Sequence, residues 1–406
     1  MPATAVVDAQ YGDGGKGKII NYLVLELSIA LGARGGGGEN AGHSVHFDGK
    51  ELVLHMIPTC AVDGIKAAIG RGCVVNPTTL IEEIQYLDSK GIKNIDLTVD
   101  ERAHVITPQH IEKDRGDKKI GTTGKGIGPT YAAKHAREGI RMVDYAAEHL
   151  EFKSILSDVS WLVNNYLDRG KNVLLEGAQG FGLCIDNGTY PFVTSSNTTT
   201  AGLCAGVGVS ERRVDRTIEV VKAYPTRVGN GPFPTQLGTN QQIENENPEL
   251  TASDLEDVAK GNEYSIGKFL RVKGHEYGAT TGRKRKPGWF DAVLVRDATM
   301  KNNPGEIALT KLDILSGLKE VKICTQYEKE DGRTLLYLPA DINVLWKCKP
   351  VYEEMEGWKE DITGLRHFNE LPQNAQKYVN RIENLLNVPV TMIGVGPERN
   401  QLILRK

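Results

Sequence analysis

The sequence has no C-x-x-C pair, no uninterrupted apolar stretch of membrane-spanning length, no excess of either charge, no internal repeat and no Pro/Ser-rich linker. Each absence removes a class of protein. Six scattered cysteines, Cys60, Cys73, Cys184, Cys204, Cys324 and Cys348, suit buried reduced thiols better than a zinc site or a disulfide frame. Without an apolar run of roughly 20 residues, no helical membrane span is expected. The 49 basic and 52 acidic residues leave a net charge of −3, which gives no global reason to expect nucleic acid or an anionic membrane as partner. The chain runs directly into its first strand with no charged-then-apolar leader, so a soluble cytoplasmic protein is expected. Its 406 residues allow two or three domains or one large α/β unit.

What the sequence does contain begins at Val6-Val7-Asp8-Ala9-Gln10-Tyr11-Gly12-Asp13-Gly14-Gly15-Lys16-Gly17-Lys18. A short apolar run ends in four glycines and two lysines, and Ile19 to Ala30 reads as a helix. This is strand, phosphate-sized turn, helix. Glycines let successive backbone N–H groups point into one hollow, the helix adds its positive end, and a lysine supplies charge. Gly12 to Lys18 fits the spacing G-x-x-x-x-G-K, but Ile19 stands where the usual loop has a magnesium-binding hydroxyl. Asp13 is the oxygen ligand available instead. Taken alone, the loop also reads as a plain turn joining strand to helix.

Further along, α/β alternation continues, with short strands expected at 52–57 and 67–71 and a helix over Pro77 to Leu87. Arg34 to His43 is a glycine-rich loop ending in a histidine able to carry a proton near neutral pH. Gly121 to Pro129 combines two hydroxyls, a cation and four glycines, which reads as a second phosphate cradle or as a surface turn. A helix is expected over 147–168. Val173-Leu174-Leu175 reads as a buried strand delivering Glu176 to Gly180 at its carboxyl end, where ligands of open α/β sheets collect. The hydroxyl-rich run Thr194 to Thr200 is a third candidate anion contact. A polar, acidic excursion follows at about 237–273, with helix signals from Ala252 to Lys260. Beyond it, four consecutive cations, Arg283 to Lys286, follow a Gly/Thr loop and point to capture of carboxylate or phosphate. Ile307 to Leu309 is read as a strand ending in Thr310-Lys311-Leu312-Asp313. A carboxylate there accepts from guanine N1–H and the 2-amino group, which adenine lacks, while the lysine stem lies along the ring. Val388 to Val395 is read as the last strand, with Gly394 and Gly396 closing over the same base.

These segments, with Gly188-Thr189-Tyr190-Pro191 and Gly231-Pro232-Phe233-Pro234, resemble adenylosuccinate synthetase over nearly the whole chain. The resemblance implies one α/β domain over 1–406, with a large, mostly parallel central sheet flanked by helices and a P-loop-like first strand, turn and helix. It implies a homodimer that joins IMP and L-aspartate using GTP and Mg²⁺, through a 6-phosphoryl intermediate. Asp13 is then the general base at N1 and a magnesium ligand, the Gly42 carbonyl a second ligand, and His43 the acid at O6 and the transferring phosphate. Gln179 holds the 6-oxygen. Asn40, Thr123 and Thr194 hold the nucleotide phosphate, Val228 lines the nucleotide site, and Arg137 reaches the neighbouring subunit's site. Thr281 and Arg283 grip aspartate. Gly12, Gly15, Lys16, Gly17, Lys18, Arg285, Lys311, Asp313, Gly394 and Gly396 form the GTP site.

The chain also departs from the family pattern, which has tryptophan at Tyr11, glutamate at Gly14, usually glycine at Asp8 and, in bacterial members, aspartate at Asn21. The stretch after Asp144 is shorter than in bacterial members and the excursion before Gly278 is longer. A phage-encoded branch that aminates dGMP resembles this chain at Asp8, at the non-tryptophan aromatic Tyr11, in lacking glutamate at Gly14, and in Gln179-Gly180-Phe181. That branch commonly replaces the catalytic aspartate, and many members lack the Lys-x-Asp that this chain keeps. IMP is therefore the first reading and dGMP the second, with the host cytoplasm as location if the chain is phage-encoded. A GTP-binding switch without ligase activity is a third reading. It would need the glycine loop and Lys311/Asp313 but leaves Asn40 to His43 and Gly278 to Arg283 without a purpose.

Overall fold

Short apolar runs that end in a polar residue build the centre of the fold, because parallel strands buried on both faces show no alternation. The structure, a computed structural model, describes residues 3–47, 49–116, 120–278 and 282–405. Ten strands hydrogen-bond in the order Leu402–Leu404, Val390–Gly394, Glu306–Thr310, Val214–Lys222, Ala3–Asp8, Val173–Glu176, Leu31–Arg34, Lys66–Ile69, Leu97–Asp100 and Leu156–Ser157. This is the large α/β sheet expected from sequence. Contacts sort the chain into two compact units, Met1–Asp8 with Gly15–Ile218, and Ala9–Gly14 with Glu219–Lys406.

In the first unit, Ala3–Asp8, Val173–Glu176 and Leu31–Arg34 run parallel, with Val6 opposite Glu176 and Arg34 also opposite Glu176. Their carboxyl ends therefore place Asp8, Glu176 and Arg34 along one edge. Ala5, Val7, Ala33, Val173 and Leu175 pack with Val159, Val163 and Leu203 into an apolar cluster beneath them. The first helix, expected from Ile19 to Ala30, spans Lys16–Glu26. Gly15 caps its start at φ 90°, so Lys16 is already helical, and Ser28 at φ 47° prevents its continuation. Pro77–Ser89 is helical, with Asn76 capping the N–H groups of Thr78 and Thr79.

The single helix expected over 147–168 is not formed. Met142–Glu148 is one helix, Leu150–Ile155 a 3₁₀ turn, Leu156–Ser157 a short edge strand and Val159–Asp168 a second helix. Two tertiary contacts override the local pattern. Leu156 and Ser157 pair in parallel with Val99 and Asp100, and Asp158 caps the next helix by accepting from Trp161 N at 3.0 Å.

In the second unit the polar excursion is three helices, Asn240–Glu244, Ala252–Ala259 and Glu263–Lys273, the first two opened by capping boxes at Thr239 and Thr251. It is anchored by buried charge. Arg271 donates from Nε to Glu246 at 2.9 Å and from Nη1 to the Arg285 carbonyl at 2.9 Å. The last parallel strand, Val390–Gly394, is followed by an antiparallel strand, Leu402–Leu404, not expected from sequence. Among the described residues no helix is long and apolar enough to cross a membrane.

Candidate active site

The glycine loop owes its shape to backbone needs at named positions. Gly15 adopts a left-handed conformation that a side chain would strain, and a Cβ at Gly17 would collide with the Ser44 carbonyl oxygen. The helix start is thereby pressed onto the strand His43–Phe47. Lys16, only 3% exposed, donates to the Gln179 carbonyl at 2.6 Å and pairs with Asp8 at 3.3 Å. Thus the loop lysine has the buried Asp8 carboxylate as a neighbour.

His43, expected at the end of a flexible loop, is instead the first residue of a strand and is 8% exposed. Its Nδ1 lies 2.5 Å from Glu176 Oε1, while Glu176 Oε2 accepts from Thr59 N and Thr59 Oγ1, both at 2.8 Å. Burial pushes the His43 ring down in pKa, and Arg34 and Lys16 push it further, against the opposing pull of Glu176. Burial acts to raise Glu176, but His43, the Arg34 charge and the Thr59 donor outweigh it and hold it below the usual carboxylate range. The assignment that follows is an ionised Glu176 accepting Nδ1–H from a neutral ring. Nε2 is then the nitrogen left for a ligand. Glu176 has no local sequence signal beyond its place at a strand end.

Several other predicted residues converge in this unit. Asn40 Nδ2 donates to Thr194 Oγ1 at 3.4 Å, so two of the three expected phosphate contacts meet. Gln179 sits at φ 55°, and both atoms of its buried side-chain amide lack a partner among the described residues. A buried unpaired amide is costly, which makes this side chain a candidate ligand contact. The Gly121–Pro129 loop is tied to the His43 loop by Lys125, 3.5 Å from Glu39. Part of this loop is already satisfied internally, since Gly126 N donates to Asp114 at 2.9 Å and Gly124 N to Thr122 at 3.2 Å. Half-buried Thr123 lies between them. Gly42 is half-buried just before His43. Arg137 ends the helix Ile127–Ala136 at φ 70° and is exposed.

In the second unit, Ala9–Gly14 packs as an extension of the sheet. Gln10 exchanges two hydrogen bonds with the Lys222 backbone, at 3.0 and 3.1 Å, and Thr310 Oγ1 donates to the Gly14 carbonyl at 2.6 Å. Asp13, at φ 54°, places Oδ2 2.9 Å from Arg285 Nε. That contact has ion-pair distance but not hydrogen-bond direction, for Arg285 Nε has no hydrogen-bond acceptor. Tyr11 lies edge-on to Phe233, with the Arg227 guanidinium 4.6 Å from its ring centre. Burial pushes its phenol up to about 12, against the pull of Arg227.

Glu276 is the hub of this unit. Fully buried, it accepts from Lys311 at 2.8 Å, Tyr224 at 2.9 Å and Arg285 at 2.9 Å, with Lys222 at 3.3 Å. Burial acts to raise its carboxyl, and Lys222, Lys311 and Arg285 override this, holding it well below the usual range. The four-cation run serves divided purposes. Lys284 binds the carbonyls of Ile243, Glu244 and Glu246 at the end of a helix, and Lys286 binds the Gly229 carbonyl at 2.8 Å. Half-buried Arg283 accepts from Gly278 N at its carbonyl. Thr281 lies outside the described residues. Val228 is half-buried just after the strand Thr226–Arg227. Lys311 stands at φ 58° and opens the 3₁₀ turn that carries Asp313. Gly394 ends a sheet strand, and a Cβ at Gly396 would collide with Gln401.

In the first unit a lysine at a glycine-capped helix start and a histidine backed by a buried carboxylate, and in the second Asp13 and a Lys-x-Asp turn after a sheet strand, are each features of nucleotide-handling α/β enzymes. A family model described as adenylosuccinate synthetase matches residues 5–154 and 145–403. The adenylosuccinate synthetase of Halothermothrix orenii is 43% identical, with 100% of this chain and 99% of the relative aligned. That of Lactobacillus helveticus is 40% identical at the same coverage. Fully ligated adenylosuccinate synthetase from Plasmodium falciparum superposes with a TM-score of 0.88 at 34% identity, each chain covered in full. The succinoaminodeoxyadenylate synthetase of cyanophage S-2L, bound to dGMP with dATP as energy donor, shares the fold at a TM-score of 0.66 and 21% identity, covering 99% of this chain and 95% of the other. The chain belongs to the adenylosuccinate synthetase family, ligases that form carbon–nitrogen bonds.

Proposed function

We propose that this enzyme aminates IMP with L-aspartate at the expense of GTP, giving adenylosuccinate. The observation that carries the reading is the buried His43–Glu176 pair, with the unpaired Gln179 amide three residues further along the chain, in a chain whose full-length relatives, 40–43% identical, are named adenylosuccinate synthetase. A 6-oxo group is a poor leaving group, so it is phosphorylated before an amine replaces it. Asp13 takes the N1 proton, and Gln179 satisfies its amide on the 6-oxygen. An anionic phosphate at Nε2 favours the protonated His43 ring, which Glu176 steadies from the other nitrogen, so the ring becomes the acid at the transferring group. Asn40, Thr123 and Thr194 hold the monophosphate, Val228 lines the nucleotide site, and Thr281 with Arg283 holds aspartate.

Lys16, Lys18 and the N–H groups of Gly12, Gly15 and Gly17 receive the GTP phosphates, with Arg285 beside them. Asp313 and Lys311 read guanine, under Gly394 and Gly396. In this reading Mg²⁺ would be held by the Asp13 carboxylate and the Gly42 carbonyl, whose hard oxygens suit that ion and would leave places for water and phosphate. Bound there, the ion would neutralise charge on the transferring group.

The working form in this reading is a cytoplasmic homodimer in which Arg137 serves the neighbouring subunit. Its support is the exposure of Arg137 close to exposed Ile140 and Val143. The whole of 1–406 acts as one catalytic module, with the excursion at 237–273 part of it. Phosphate release that requires GTP, IMP and aspartate together tests the reading. Release without aspartate would instead favour a GTP-binding switch.

A further inference from the structure

We propose that Glu276 is a positioning residue for the donor-nucleotide side of the reaction, holding Lys311 and Arg285 in the places from which they meet GTP. This rests on the GTP reading above.

Glu276 follows the helix Glu263–Lys273 and stands at the base of the Gly278–Arg283 loop. Its backbone closes that base, as Arg285 N donates to the Glu276 carbonyl at 2.9 Å and Tyr277 bridges Lys284. Its side chain then divides its two oxygens. Oε1 accepts from Lys311 at 2.8 Å and from Tyr224 at 2.9 Å, and Oε2 accepts from Arg285 Nη1 at 2.9 Å. Because the carboxylate is fully buried, solvent and salt screen these contacts little.

The geometry says which partner sets the Arg285 orientation. Arg285 makes a directed hydrogen bond to Glu276, while its Nε approaches Asp13 without hydrogen-bond direction. Glu276 therefore aims the guanidinium and Asp13 receives it. Nε–H is left as a buried donor able to turn to a phosphate oxygen. Lys311 depends on the same anchor, its ammonium donating to Glu276 and to the Gly274 carbonyl, both at 2.8 Å. Without the carboxylate, the lysine ammonium loses its charged hydrogen-bond acceptor beside the turn that carries Asp313. One buried acid thus fixes both a base-reading lysine and a phosphate-side arginine.

The competing explanation is that Glu276 merely neutralises Lys222, which is completely buried and otherwise bonds Thr226. Two variants separate the roles. Glu276→Asp keeps the charge but shortens the reach, and the paired variant Glu276→Gln with Lys222→Met removes both buried charges together. The KM values for GTP and IMP are measured with Mg²⁺ and aspartate, alongside thermal melting. The proposal expects the GTP KM to rise at least fivefold in Glu276→Asp and at least tenfold in the paired variant, with the IMP KM within twofold of the parent. A GTP KM within twofold of the parent in Glu276→Asp would overturn it, whether or not the paired variant folds. A parent enzyme that makes no adenylosuccinate from GTP would instead overturn the donor reading on which the proposal stands.

Discussion

Two buried glutamates stand in opposite settings. Glu176 is paired with an imidazole, a backbone N–H and a hydroxyl, and three residues further along the chain Gln179 keeps an amide unpaired. Glu276 is surrounded by two lysines, an arginine and a tyrosine hydroxyl, with donors on both of its oxygens. The difference teaches what each carboxylate is for. A carboxylate whose partner gains and loses a proton tunes chemistry, whereas one saturated by permanent cations holds geometry. Asp291 is a third case, buried with hydrogen-bond donors from Tyr327, Val293 and Leu294 as its nearest partners. Burial pushes it up to about 6 despite those donors.

Substitutions sharpen this contrast, and the largest effect is expected at the reacting groups. Asp13→Ala should lower kcat by about 10²–10⁴-fold, the usual range for loss of a general base, with little change in melting temperature. His43→Ala should lose activity on the same scale but also stability, on the order of 1–3 kcal/mol, because Glu176 then loses a buried donor. An unchanged melting curve for His43→Ala would break the pairing described here.

Next in size is Asp313→Asn, which removes a charged acceptor from two guanine donors and should weaken GTP use by about 2–3 kcal/mol in kcat/KM. ATP should not replace GTP in the parent enzyme. Glu176→Gln should have a smaller effect, roughly tenfold on kcat, with a diagnostic direction. Loss of the negative neighbour lowers the His43 pKa, so the alkaline limb of the kcat–pH profile moves to lower pH. A limb that stays in place or moves up would separate Glu176 from the acid step.

The smallest effect concerns stability at Asp291. Its folded pKa, about 6, lies above the ordinary 3.8, so its contribution is fully present below about pH 3.8 and is lost as pH rises through 6. Asp291→Asn removes that dependence while keeping a capping side chain. Relative to the parent, the variant should gain stability between pH 4 and pH 7, by at most about 3 kcal/mol. Denaturant titrations at the two pH values measure it, and a constant difference would contradict the assignment.

Much of this was legible in the sequence where local pattern and chemistry coincide. The glycine loop, the strand delivering Glu176 to Gly180, the capped helix from Pro77 and the turn carrying Lys311 and Asp313 all announce themselves within a few residues. The helix Gln373–Leu386 is absent from the expected elements, although Ala375, Tyr378, Val379, Ile382 and Leu386 carry a buried helical stripe. Other features had no local signal. Glu276 meets Lys222 across 54 positions and Lys311 across 35, contacts that depend on sheet order and burial rather than spacing. The break at Asp158 depends on a strand pairing with Val99 and Asp100 that no window of sequence contains. Likewise, Lys284 and Lys286 belong to the same run of cations as Arg283 and Arg285, yet they cap backbone carbonyls.

The central claim is the identity of the acceptor purine, and Gly14, Asp8 and Tyr11 are the positions that put it to the test. IMP, dIMP, GMP and dGMP, each supplied separately with GTP, Mg²⁺ and aspartate, should be compared by kcat/KM for the succinylated product. The account predicts that IMP exceeds dGMP by at least tenfold, since a site that bonds a ribose hydroxyl penalises its absence and a 2-amino group crowds the N1 edge. A tenfold preference for dGMP would contradict it and place the chain's activity with the phage-type enzymes.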